Sequence, residues 1–198
     1  MRFFQFIADL ILLVIRMPLP KKDSLAEYLD YIIPYVKRFS EGLNETEYYL
    51  DKQLKEVTDD LNKTDKIIHI FQQAQTLKEI KTRTEDEGAP YLYSLDGKIT
   101  KGKWVFIQSS ALIIKLDPHY DLYDLCFLNE DFMVLRLKTA TAAPSDYLFL
   151  VNDKLAKDHT WLECIEFLYD VYRYNFIFML LWFGFFIVVT IVMYSSLR

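Results

Sequence analysis

A chain of 198 residues has room for one compact domain with extensions, or for two small units. Hydrophobic content of 52% and aromatic content of 16% exclude disorder. A net charge of −5 excludes a general nucleic-acid binder, which needs a basic face to neutralise phosphates. Cys126 and Cys164 lack the spacing of a metal site or redox pair and read as small core residues.

Residues 1–17 open with "MRFFQFIADLILLVIR", a short apolar run without a cleavage site before "MPLP". On a helix, Gln5, Asp9 and Arg16 fall near one stripe. The segment is therefore expected to be an amphipathic helix at the membrane interface or against another subunit's spans. A second full span is the alternative. Lys21 and Lys22 follow, a pair suited to anionic headgroups.

Residues 23–81 read as helical. Ser24 with Glu27 makes a capping box, and Leu25, Leu29, Ile32, Ile33, Val36 and Phe39 make an apolar face. Pro34 must kink that helix or end it early, and Gly42 is a stop. Asn44 with Glu47 predicts a second helix running to about Ile80. Its seam is Leu50, Leu54, Val57, Leu61, Ile68 and Phe71, with Thr64 at one position. An antiparallel helical hairpin and a coiled-coil stalk both fit this seam. Asn44-Glu-Thr46 and Asn62-Lys-Thr64 match the glycosylation acceptor pattern and read as chance matches on a cytosolic chain.

"KTRTEDEGAP", residues 81–90, breaks periodicity and marks a boundary. Short strands follow: "YLYSL", "KWVFI", "ALIIKL", "DLYDLCFL", "FMVLRLK" and "YLFLV". Asp96-Gly97, Ser109-Ser110 and Asn129-Glu130-Asp131 mark turns between them. "AKDHTWLECIEFLYDVYRY" then reads as a closing helix with Trp161, Ile165 and Leu168 on one face. Six or seven strands and one helix predict a small, partly open barrel plugged at one end.

In this order of elements the chain resembles the pleckstrin homology (PH) family, over about Pro90 to Tyr174. The resemblance rests on "YLYS", on the basic pattern Lys98 then Lys101-Gly102-Lys103-Trp104, on "SSALIIKLD", and on the closing segment with its signature Trp161. It implies a PH-like domain at 89–174, with Trp104, Trp161 and Ile165 in its core. It also implies a phosphoinositide headgroup as ligand, held by Lys98, Lys101 and Lys103. The pattern departs from the family where arginine is expected, because Lys103 supplies a point charge without a bidentate fork. Asp96 beside it also opposes anion binding. Domains of this fold bind proteins as well as lipids, and fold alone does not decide.

Phe176 to Tyr194 contains no charged residue; nineteen residues reach about 28 Å, near the roughly 30 Å hydrocarbon core. Residues 175–195 are therefore expected to form a transmembrane tail anchor, running on from the closing helix, with the bulk of the chain cytosolic. The endoplasmic reticulum or another endomembrane is the expected location, with the mitochondrial outer membrane as alternative.

His69, His119 and His159 are scattered, without partners at metal-ligand spacing, and no nucleophile or phosphate-loop motif is present. The expected class is α+β: an N-terminal helical hairpin, then a PH-like barrel whose capping helix continues into one span. The expected role is non-enzymatic, with no cofactor or metal. Three roles fit: a tail-anchored adaptor or accessory subunit presenting the domain to a protein partner, a phosphoinositide sensor at a membrane or contact site, and a structural subunit of a larger integral-membrane complex.

Overall fold

The computed structural model describes residues 19–60, 66–73, 88–138 and 147–196, apart from the side chains at 176, 177, 180, 191 and 196. The segment 1–17, the acceptor motif at 62–64 and residues 81–87 of the boundary stretch lie outside the described residues. The chain divides into two compact units, one of Lys22–Ile165 and another to which Glu166–Arg198 belongs.

In the first unit, helix α1 (Leu25–Val36) begins where the capping pattern places it. The Ser24 hydroxyl accepts from the Glu27 N–H at 3.3 Å. Its buried residues, Leu25, Tyr28, Leu29, Ile32, Ile33 and Val36, recur at three- and four-residue intervals and so line one face. Pro34 is accommodated near the end, and the chain tightens into a 3₁₀ turn at Lys37–Phe39.

From there the structure departs from the expected stalk. Asn44 and Glu47 introduce only a 3₁₀ turn, Thr46–Tyr48, and among the described residues of the expected second helix no α-helix forms. Two strands take its place, β1 (Leu54–Glu56) and β2 (Ile67–Phe71). The helical hairpin and coiled coil are therefore corrected. Leu54, Val57 and Phe71 are buried under either reading, but burial in β2 alternates, with Ile67, His69 and Phe71 inside and Ile68 less so. A helical seam would have buried Ile68 and left His69 off its face.

The six expected strands follow as β3 (Ala89–Leu95), β4 (Lys98–Gln108), β5 (Ala111–Leu116), β6 (His119–Leu128), β7 (Phe132–Leu137) and β8 (Tyr147–Asn152). Each pairs antiparallel with the next, and β1 pairs with both β2 and β8. The result is a closed barrel of eight strands, where six or seven in a partly open barrel were expected. Closure removes the edges that β3 and β8 would otherwise present. Asp96 and Gly97, at φ 48° and 84°, form the tight β3–β4 turn that an Asp-Gly pair favours.

One end of the barrel is filled by the chain just before β1. The Leu43 N–H donates to Ser109 O at 3.0 Å, and the Glu41 N–H to Leu128 O at 2.9 Å. These bonds seat Leu43 and Tyr49 in the core with Phe71, Trp104, Leu112 and Leu128. The Tyr49 ring meets Phe71 and Trp104 edge-on at 5.9 and 5.8 Å, and its hydroxyl donates to Leu43 O at 2.8 Å.

Helix α2 (Asp153–Ala156) leads to α3 (Trp161–Ser196). A reciprocal capping box starts α3: the Thr160 N–H donates to Glu163 Oε2 at 2.7 Å, and the Glu163 N–H donates to Thr160 Oγ1 at 3.3 Å. The backbone bond from Thr160 holds the Glu163 carboxyl below its usual range. In the second unit, from Glu166, the helix continues through Asp170 and Arg173, which pair, and Asn175, whose side chain donates to Val171 O at 2.7 Å. Further on, Phe178, Trp182, Phe183, Phe185 and Phe186 are exposed, and the Thr190 hydroxyl turns back onto Phe186 O.

The expected tail anchor is corrected here: among the described residues, no helix is long and apolar enough to cross a membrane. The apolar run forms the distal part of one 36-residue helix that starts with charged turns, and Gly184 and Thr190 interrupt it. The C-terminal span, the tail-anchored topology and the localisation inferred from them are withdrawn.

Candidate functional site

The described residues of the barrel form concavities of different chemistry on its outer wall and in its lumen. The outer one measures about 800 Å³ and lies over β4, β5 and β6. Lys101 and Lys103 point to the same face because strand side chains alternate. The β4–β5 register places Lys103 opposite Lys115, and the β5–β6 register places Lys115 opposite Tyr120. His119 and Asp117 complete the rim. Among the described residues, three lysines and one carboxylate line this cleft.

Lys101 and Lys103 are thus brought together, whereas Lys98 is not among the lining residues. Lys98 pairs with Leu95 across the Asp96-Gly97 turn. Asp96 is occupied there, accepting from the Lys66 N–H at 2.7 Å. Trp104 points inward and is buried, its indole N–H donating to Gln72 O at 3.1 Å. Ile165 is fully buried, while Trp161 is half-buried and packs edge-on against Tyr28 at 5.8 Å.

The lumen pocket measures about 340 Å³ and occupies the barrel end away from Leu43 and Tyr49. At its wall stands a buried polar chain. His69 Nε2 lies 3.0 Å from Glu56 Oε2, and Nδ1 bonds the Tyr91 hydroxyl. A carboxylate can only accept, so Nε2 carries a proton; in the neutral ring Nδ1 then accepts from the phenol. Burial pushes the Tyr91 phenol well above its ordinary range, aided by Tyr123, Glu56 and Tyr93, which keeps it a neutral donor. The Tyr123 phenol is raised likewise, by burial first and then by Asp121 and Glu56. Tyr93 meets His69 edge-on at 5.5 Å.

Sequence reasoning missed Lys115 and His119 in the cleft and the whole lumen set. The lumen residues come from every strand but β4, and two of these strands were read as helix. One signal was available, because a histidine at the centre of "IIHIF" breaks an apolar run. No family model, curated protein or solved structure matches this chain.

Proposed function

We propose that this chain is a non-catalytic adaptor or accessory subunit: a barrel recognition module on a helix whose apolar distal part is covered by a protein partner. The observation that carries the reading is exposure along α3, where Phe183 is 67% exposed, Phe186 61%, Met193 62% and Tyr194 65%. Apolar surface left in water costs about 25 cal/mol per Å² relative to burial, and patches of this kind mark interaction sites. Phe178, Leu181, Trp182 and Phe185 enclose a shallow groove of about 250 Å³, rich in the aromatic side chains that anchor protein interfaces. The PH-like resemblance is proposed for the module, supported by the order β3 to β8 followed by a helix. The extra strands β1 and β2 set it apart from that pattern.

A second reading is favoured by the outer cleft: recognition of a phosphoinositide headgroup through Lys101, Lys103 and Lys115. The sharper test is of the first. A photo-crosslinking amino acid placed at Phe183 in cells is expected to give one discrete protein adduct, and the same residue at Tyr120 none. Absence of a protein adduct at position 183, or adducts with lipid alone, would overturn the adaptor reading.

A further inference from the structure

The lumen pocket has a charge balance opposite to that of the outer cleft. Glu56 and Asp121 line it, and no lysine or arginine does so among the described residues. Its one basic side chain, His69, has both ring nitrogens engaged, by Glu56 and Tyr91. Asp121 stands on β6 opposite Ile114, an inward-facing residue, and lines the pocket with no side-chain hydrogen bond or ion pair to a described residue. Around these carboxylates stand the rings of Tyr91, Tyr93 and Tyr123, with Ile114, Leu116, Leu137 and Leu148 filling the wall between them.

We propose that this pocket is a binding site for a small organic ammonium ion, with Asp121 as its counter-charge and the tyrosine rings as its cage. Three features converge on that class. Aromatic faces attract a cation through their quadrupole, and they do so most strongly when water is excluded. A carboxylate inside a partly desolvated pocket supplies full charge complementarity, which an anionic or neutral ligand would not satisfy. The aliphatic wall suits the alkyl groups of a substituted ammonium rather than a bare metal ion, which would demand several oxygen ligands. The volume lies at the lower end of the range for ligand pockets, so the ligand is small. Glu56 is held by His69 and stays in place as a second negative charge, with the His69–Tyr91 bond fixing the ring that backs the cage. This proposal stands or falls independently of the readings given for α3 and for the outer cleft.

The test is a saturation-transfer NMR titration of the full chain with choline, tetramethylammonium and benzylammonium. The uncharged choline isostere 3,3-dimethyl-1-butanol serves as the control. At least one cation is expected to bind ten-fold or more tightly than the isostere. Asp121→Asn should weaken that cation at least ten-fold without changing the isostere. Tyr123→Phe should retain binding and Tyr123→Leu lose it, because the ring face rather than the hydroxyl is the contact. Asp121→Asn is nearly isosteric on a partly exposed side chain, and an unchanged amide spectrum certifies its fold. Failure of all three cations to bind, equal binding of the isostere, or an Asp121→Asn variant that binds as well as the parent would each overturn the proposal.

Discussion

Gly102→Ala separates intrinsic preference from packing, because the two predict opposite signs. Glycine in a strand interior is unfavourable, so alanine alone would stabilise β4 by up to about 1 kcal/mol. The structure opposes this. A Cβ at Gly102 would run into the Lys115 carbonyl oxygen, with Leu116 Cδ2 at 2.9 Å and Tyr91 Cδ1 at 3.3 Å. The carbonyl belongs to the neighbouring strand and cannot swing aside without disturbing the ladder that sets Lys103 against Lys115. Overpacking of this kind costs about 1–3 kcal/mol, more than the propensity gain. The net loss is then about 1–2 kcal/mol over most of that range, and at about 2–4 °C per kcal/mol for a unit of this size melting should fall by roughly 2–8 °C. Gly42→Ala is the control, since its Cβ would meet nothing nearer than 3.6 Å; it should change stability by less than about 0.5 kcal/mol. The assay is thermal and urea unfolding followed by circular dichroism. A Gly102→Ala protein as stable as the parent, or more so, would refute the β4–β5 packing described.

Tyr49→Phe removes the hydroxyl that satisfies Leu43 O in the filled barrel end and should cost about 1–3 kcal/mol in urea unfolding. Cys164 is buried, which pushes its thiol up to about 11 from 9.0. The folded state therefore holds that proton where the unfolded state releases it, and stability should decline as pH rises from 9 to 11. Cys164→Ala should lessen that decline in a series of melting curves, the buried Tyr91 and Tyr123 phenols supplying part of what remains. Replacing Lys101, Lys103 and Lys115 together with alanine should abolish any headgroup-selective binding to phosphoinositide liposomes, while Lys98→Ala leaves it intact; equal effects would contradict the cleft's composition.

Strands β3 to β8 were legible because each is a short run rich in apolar and aromatic residues, several of them bounded by turn signals, of which Asp96-Gly97 is a strong one. β1 has three residues and β2 five, too few to separate a strand from a helical seam when Leu54, Val57 and Phe71 are buried in both. The cleft was half legible. Lys101 and Lys103 stand out in the sequence, but their partner Lys115 does not. Counting outward from the Ser109-Ser110 turn sets Lys115 against Trp104, and a bulge between Phe106 and Gln108 moves it to Lys103. The Glu56–His69–Tyr91 chain crosses the paired strands β1, β2 and β3, and was missed because the first two were read as helix. The apolar run at 176–194 was visible from its composition. Its continuity with the closing helix was legible as well, and the structure has both in one helix, Trp161–Ser196.

The lumen exists only if β1 stands between β2 and β8. Nuclear Overhauser contacts across these short ladders test this directly. Cross-strand contacts are expected between Lys55 and Ile68 on one side, and between Lys55 and Val151 and Glu56 and Leu150 on the other. Sequential amide contacts of helical type through residues 50–57, with no cross-strand contact to β8, would contradict the closed barrel.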